Sequence, residues 1–197
     1  PQTTPQTKPV EKTSTKTGED TNIGSKTQGS DATQTYTNTE QTEPKVAPVI
    51  SQSDRIANLS FDEEKGLLWP IEGEVLLPYS MDQSIYFDTL AQYKVNPALI
   101  IAGAQGMDVL CAYNGVITSI DENEETGITV TMSIGDSYEI VYGNLENVTF
   151  EEGDYVAEKT CLGTLAAPSK YYIKEGCNLF FEVLQKDETV DPLLLLR

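Results

Sequence analysis

The chain has 197 residues, with 13 Lys or Arg, 31 Asp or Glu, a formal net charge of −18 and no histidine. The lack of histidine excludes Ser-His-Asp and Cys-His catalysis, HExxH zinc sites and every other histidine-bound metal site. The negative charge argues against nucleic-acid binding, which needs Lys and Arg to displace counterions from phosphates, and against docking on an anionic membrane surface.

No run of about 18 apolar residues is present, so we expect none of these residues to span a bilayer. The sequence begins with Pro1 rather than Met. We therefore expect a processed or cut-down product, in which any upstream signal or anchor would lie outside this sequence.

The first 55 residues differ in composition from the rest. They carry 13 Thr, with six Lys or Arg against seven Asp or Glu, a net charge of 6 − 7 = −1. With almost no large apolar side chains, this segment cannot bury enough surface to offset chain entropy. We expect residues 1–55 to be a disordered Thr/Pro/Lys-rich stalk or linker, which in other proteins commonly separates a membrane anchor from an outer domain.

Residues 56–197 carry seven Lys or Arg against 24 Asp or Glu, a net charge of 7 − 24 = −17. Short segments rich in Val, Ile and Tyr recur there between Gly, Asp, Asn and Pro, at the spacing of an all-β domain. The pattern predicts a compact antiparallel sheet or sandwich over 68–197. The predicted strands are Ile71–Leu77, Leu99–Ile101, Asp108–Ala112, Val116–Ile120, Gly127–Ile134, Tyr138–Tyr142, Val148–Phe150, Tyr155–Ala157, Thr160–Leu165 and Asn178–Leu184.

Helical patterns are short. Residues 56–67 form a connecting segment, and Ser53–Lys65 favours a short helix with Ser53 or Asp54 as its N-cap. A second short helix is predicted over Ser84–Tyr93.

Three cysteines, Cys111, Cys161 and Cys177, are too few and too widely spaced for a zinc module. We interpret them as small buried residues, because free cysteine is among the most buried residue types. In an exported domain, a Cys161–Cys177 bridge is the alternative.

Several motifs then follow one another in a familiar order. From Ile101 to Ile117 the sequence reads IAGAQGMDVLCAYNGVI, and it is followed by YGNL at Tyr142–Leu145 and EGDYV at Glu152–Val156. The order closes with CLG at Cys161–Gly163, GCNLFFEV at Gly176–Val183 and VDP at Val190–Pro192. Together with Trp69-Pro70 and Gly73, these segments resemble the lysostaphin-type (LytM-like) zinc peptidase domain. The resemblance implies the duplicated hybrid-motif β fold of that family.

Active members hold zinc with H-x-x-x-D and the second His of H-x-H, and use two further histidines in catalysis. Carried over position by position, these residues fall on Asn96, Ile100, Asn144, Asn178 and Phe180. Ile and Phe offer a metal no donor atom, and Asn is a poor zinc ligand. The resemblance therefore implies the fold but no catalytic residues, no metal and no cofactor.

Two interpretations of these five positions stay open. They form either an uncharged recognition surface with an apolar centre and an amide rim, or the core of a collapsed groove. Degenerate members of the family act as scaffolds, among them the forespore-side protein of a sporulation channel. We therefore expect an extracytoplasmic protein-interaction domain in envelope remodelling or sporulation. The alternatives are a peptidoglycan binder, a residual cell-wall endopeptidase, or a lipoyl-type hairpin domain with Lys159 near its turn.

Overall fold

The computed structural model describes residues 51–197. It contains one α-helix, α1 (Gln52–Ala57), one 3-10 helix (Pro192–Leu194) and twelve strands. The strands are β1 (Val75–Leu77), β2 (Ser80–Phe87), β3 (Gln92–Asn96), β4 (Leu99–Ala102), β5 (Asp108–Leu110), β6 (Gly115–Asn123), β7 (Gly127–Gly135), β8 (Tyr138–Glu146), β9 (Tyr155–Val156), β10 (Cys161–Leu165), β11 (Asn178–Gln185) and β12 (Glu188–Val190). The all-β prediction is confirmed.

Ten strands form one sheet in the order β1-β4-β11-β8-β7-β6-β9, with β10 paired to β8 and β5 and with β12 paired to β11. Every strand pair is antiparallel. Strands β2 and β3 form a separate two-stranded sheet. The predicted antiparallel architecture is therefore confirmed, and β4, β11 and β8 lie side by side at its centre.

The alternation of side chains along the strands builds the main core. On β8, Tyr138, Ile140 and Tyr142 are buried, while the residues between them are half-buried. The Tyr142 ring packs edge-on against Phe181 of β11, with 5.5 Å between ring centroids. The Tyr142 hydroxyl accepts a hydrogen bond from the Ala112 amide at 2.9 Å. A large aromatic residue can be fully buried here because its polar end has a partner.

The helix predictions need correction. Helix α1 ends at Ala57 instead of Lys65, and its N-cap is Ser51, whose hydroxyl accepts a hydrogen bond from the Asp54 amide at 3.2 Å. It thus begins inside the segment predicted as stalk; residues 1–50 lie outside the described residues, and their disorder stays a prediction. None of the helices in 51–197 is long and apolar enough to cross a membrane.

The helix predicted over Ser84–Tyr93 is wrong, because this segment forms the β2–β3 hairpin. Tyr86 pairs with Tyr93, and Phe87, next to Tyr86, is buried against the domain. A run of Ile, Tyr and Phe fits a pleated surface with one buried face, and tertiary contacts override the short helical pattern. The strand predicted at Val148–Phe150 is also absent from the described structure, and β12 was missed.

Candidate functional site

The sheet brings four of the five predicted positions together. Phe180 of β11 pairs in register with Ile100 of β4 on one side and with Gly143 of β8 on the other. Asn144 follows Gly143 directly, and Asn178 lies two residues before Phe180 on the same face of β11. Asn96, at the end of β3, lies two residues before Ala98 at the entrance to β4. The five positions therefore surround one end of the central strands.

Two of the three asparagines are bonded to each other. The Asn144 Nδ2 atom donates to the Asn178 Oδ1 atom at 2.8 Å, and the Asn178 Nδ2 atom donates to the Gly176 carbonyl at 2.7 Å. Both side chains are buried. Asn144 also adopts a left-handed backbone conformation with φ of 63°, which asparagine tolerates better than most residues. The NH2 groups of both side chains therefore donate to groups inside the protein.

Asn96 has a structural role in the hairpin crossing. Its Nδ2 atom donates to the Pro78 carbonyl at 2.8 Å and to the Ala98 carbonyl at 2.7 Å, and the side chain is 1% exposed. These bonds fix the point where the chain enters β2 and leaves β3. Replacing Asn96 with a metal-binding residue would remove the side-chain amide that donates to the Pro78 and Ala98 carbonyls.

Ile100 and Phe180 contribute to a second hydrophobic cluster, separate from the main core. Ile100 is fully buried there with Phe87, Ala98 and Tyr172, and Phe180 packs against them partly buried. Tyr172 comes from the loop between β10 and β11, and its burial raises the pKa of its hydroxyl. Apolar side chains thus fill the space where the resemblance places a metal.

The loop that supplies Tyr172 is tied to both walls of the groove. At one side the Ser169 hydroxyl donates to the Glu125 carbonyl at 2.7 Å, next to the β6–β7 turn. At the other, the Lys174 amide donates to the Thr89 hydroxyl at 2.7 Å, at the tip of the β2–β3 hairpin. Glu175 accepts hydrogen bonds from the amide and the hydroxyl of Thr89. The loop therefore holds Tyr172 in place from two directions.

An open depression of about 440 Å³ remains beside this cluster. Asn96, Tyr172 and Phe180 contribute to its lining, together with Lys94 and Glu125. The Lys94 ammonium and the Glu125 carboxylate pair across it at 3.4 Å. Of the five predicted positions, Asn96 and Phe180 line this space, whereas Ile100, Asn144 and Asn178 are buried and do not line it. The structure thus has features of both sequence interpretations, a filled groove and a shallow remnant.

The side chains at the groove do not fit a catalytic zinc ion. Asn96 donates its amide protons to backbone carbonyls, while Ile100 and Phe180 have no donor atoms. Over residues 51–197, no group of three or more His, Cys, Asp or Glu is arranged to hold a metal. Zinc sites need three or four N, S or O donors converging on one point, and that convergence is missing from the described groove.

The three cysteines are free. Cys111 is buried, as predicted, and its thiol donates to the Tyr113 carbonyl at 2.8 Å. Burial raises the pKa of the Cys111 thiol to about 12, so it is not a thiolate nucleophile at neutral pH. Cys161 is exposed and Cys177 half-buried, against the prediction of burial, and the alternative bridge between them is not formed.

Sequence reasoning missed Tyr172, the residue that fills the groove. It lies in a loop of irregular structure, outside every matched motif. Two adjacent aromatic residues, Tyr171 and Tyr172, in an otherwise Ser- and Lys-containing loop were the available signal. Aromatic side chains in such a loop need a surface to cover.

Comparison with known proteins gives one family. A sequence profile of peptidase family M23 matches residues 94–192, and no curated protein sequence gives a significant match. A zinc-containing peptidase from Vibrio cholerae superposes with a TM-score of 0.56 at 15% identity, over 65% of this chain and 39% of that chain. This chain thus spans well under half of the Vibrio protein.

Two other solved structures match over nearly their whole length. A chain of the SpoIIQ–SpoIIIAH pore-forming complex superposes with a TM-score of 0.57 at 19% identity, over 66% of this chain and 90% of that chain. A mutant of the catalytic domain of the prophage-encoded M23 protein EnpA from Enterococcus faecalis gives 0.51 at 16% identity, over 63% and 92%. At these identities the likeness shows a shared fold.

Proposed function

The chain belongs to peptidase family M23, and we propose that it is a non-catalytic member acting as a protein-interaction scaffold outside the cytoplasmic membrane. The observation that carries the proposal is the apolar cluster of buried Ile100 and Tyr172 with partly buried Phe180, where the resemblance places the metal. Without a bound zinc ion the family's reaction has no Lewis acid and no water of low pKa. The fold is retained, and binding is the function left to it.

A protein partner is the class we favour. One chain of each SpoIIQ–SpoIIIAH complex shares the fold of this chain, and each complex joins two different proteins. The net charge of −17 over residues 56–197 disfavours anionic wall polymers and favours a partner with basic groups. We propose a partner similar to SpoIIIAH and a role in sporulation or cell-envelope remodelling.

The chain's organisation suits that role. We propose that residues 68–197 form the M23 domain and that 56–67 connect to it. The stalk predicted over 1–55 is proposed for the part that precedes helix α1, which begins at Gln52. A Thr-rich stalk would hold the domain away from a membrane anchor upstream. We propose that the domain lies on the extracytoplasmic side, where the wall and other envelope proteins are accessible.

The second candidate is peptidoglycan binding. The depression of about 440 Å³ beside Phe180 favours it, because a shallow groove with an aromatic wall and a Lys94–Glu125 pair can hold a short peptide or sugar. A residual endopeptidase activity has no support from the donor atoms of the described groove.

Affinity purification of the full chain from sporulating cells after chemical cross-linking tests the proposal. We expect recovery of a channel or engulfment protein and direct binding of that protein after purification. Sedimentation with insoluble peptidoglycan separates the candidates: the scaffold stays in the supernatant, whereas a wall binder pellets in proportion to the wall added. Pelleting with no protein partner would overturn the proposal.

A further inference from the structure

The β2–β3 hairpin carries an exposed aromatic face. Residues paired across an antiparallel ladder lie on the same face, and Tyr86 pairs with Tyr93. Their ring centroids are 5.1 Å apart, and the side chains are 44% and 72% exposed. Val95, two residues beyond Tyr93, is also exposed and lies where this face meets the groove. We call the surface of Tyr86, Tyr93 and Val95 the tyrosine face.

The opposite face of the same hairpin is the one that packs on the domain. Phe87 is buried, and Ile85 packs against the Ile100 cluster. Lys94 lies over the Phe87 ring at 5.4 Å and pairs with Glu125. The hairpin is anchored at its tip through Thr89 and at its base through Asn96. The tyrosine face is therefore held rigidly while none of the described residues covers it.

We propose that the tyrosine face is the docking surface for the partner protein, and that the partner meets it with an apolar centre flanked by Lys or Arg. Rigid tyrosines are enriched at binding hot spots because they bury a large area at low entropic cost. This inference rests on the proposed scaffold function and specifies where it acts.

The charges on the hairpin favour a basic partner. Asp82 and Asp88 are exposed on the hairpin, and its single base, Lys94, is turned to the groove and paired with Glu125. A basic rim on the partner complements these carboxylates, whereas a second copy of this chain would bring the same carboxylates and another strongly negative domain against them. A partner of opposite charge is therefore favoured over self-association.

We expect the partner to bind the side chains of the tyrosine face rather than to pair with the backbone edge of β2. Pairing between β2 and β3 is irregular between Ser80 and Ile85, and exposed polar residues occupy positions 82–84 of the edge strand. Irregular and charged edges resist the addition of another strand. We therefore expect side chains, rather than backbone pairing, to provide the affinity.

The test uses the full chain with p-benzoyl-L-phenylalanine in place of Tyr93, expressed and irradiated in its native cells. Matched positions elsewhere are Tyr155 on β9, 54% exposed, and Trp69, 37% exposed. The partner identified by mass spectrometry is purified, and its affinity is measured by calorimetry for the wild type, for Tyr86→Ser/Tyr93→Ser and for Tyr155→Ser. Circular dichroism melts check that each variant folds.

We expect an adduct from position 93 only, with a basic protein, and a loss of affinity of roughly 30-fold or more in the double tyrosine variant, the size of a hot-spot truncation. Tyr155→Ser should bind as the wild type does. Asp82→Asn/Asp88→Asn should weaken binding most at low salt.

An adduct with the same partner from position 69 or 155, with normal binding by the double variant, overturns the assignment of the tyrosine face as the docking surface. It leaves the proposed scaffold function intact. An adduct with a second copy overturns the proposed partner chemistry, and the absence of any protein adduct at all three positions contradicts the scaffold function as well.

Discussion

Asn144 and Asn178 form a buried amide pair, with 2.8 Å between the Nδ2 atom of the first and the Oδ1 atom of the second. In catalytic relatives the resemblance places histidines at both positions. Here the two amides join β8 to β11 just below the groove. Of the two interpretations left open by the sequence, the burial of this pair favours the collapsed groove over the binding rim at these two positions.

Removing one partner of this pair should cost stability. Asn144→Ala leaves the Asn178 carbonyl oxygen buried without this donor, which costs about 1–3 kcal/mol. Asn147→Ala is a matched control, since Asn147 also has a positive φ, of 57°, and one side-chain hydrogen bond, but is exposed. The free energy of unfolding in urea should fall more for Asn144→Ala. Equal losses in the two variants would mean that the buried bond contributes nothing beyond backbone strain.

Tyr172 should contribute to stability like a core residue, although it lies in a loop. Tyr172→Ala removes a buried aromatic ring from above Ile100 and should cost about 3–5 kcal/mol. Tyr171→Ala, its half-buried neighbour, should cost clearly less. The comparison is made by chemical denaturation at one pH. If the two variants lose the same small amount, Tyr172 is not packed as described and the groove is open.

Glu182 predicts a particular pH dependence. Burial raises the pKa of this carboxyl to about 7 in the folded protein, above its ordinary value of 4.5. The folded state therefore holds the proton more tightly than the unfolded state, so this group's contribution to stability is fully present below pH 4.5 and is lost as the pH rises to about 7. Glu182→Gln should remove that part of the pH dependence and raise the melting temperature near pH 8 relative to the wild type. Glu188→Gln, which removes an exposed carboxylate from the adjacent β12, is the control for the loss of one negative charge. A Glu182→Gln profile parallel to the wild type would show that the carboxyl is solvated.

Metal removal should leave the fold intact. Because the groove lacks converging donors, dialysis against EDTA should not change the melting temperature, and added zinc should not raise it. An active M23 peptidase provides the reference for a zinc-dependent shift. A rise in melting temperature that saturates at one zinc per chain would contradict the assignment of Asn96, Ile100 and Phe180 as non-ligands.

The sequence was sufficient for the sheet, because alternating apolar residues indicated most of the central strands. The assignment of the family's metal positions to Asn96, Ile100 and Phe180 rests on the motif order and stays a prediction. The sequence was not sufficient for the hairpin, because Ser84–Tyr93 fits both a short helix and two paired strands until its packing partners are known. Tyr172 was also beyond reach, because its burial depends on the path of an irregular loop held by Ser169 and Glu175.

The sequence was also insufficient to locate the proposed docking surface, the tyrosine face. The five predicted positions pointed to the groove, where Ile100, Asn144 and Asn178 are buried. The exposed aromatic pair lies on the hairpin beside it. Tyr86 and Tyr93 pair only when the segment forms the β2–β3 hairpin, and a helical interpretation of the same segment does not predict that pair.

Our central proposal is that this M23 domain does not hydrolyse cell walls. The most direct measurement is the turbidity of purified cell walls from the native host, incubated with the full chain in the presence and absence of added zinc, beside an active M23 enzyme. We predict clearing by the active enzyme and none by this chain at any zinc concentration. Zinc-dependent clearing by this chain, abolished by EDTA, would contradict the account.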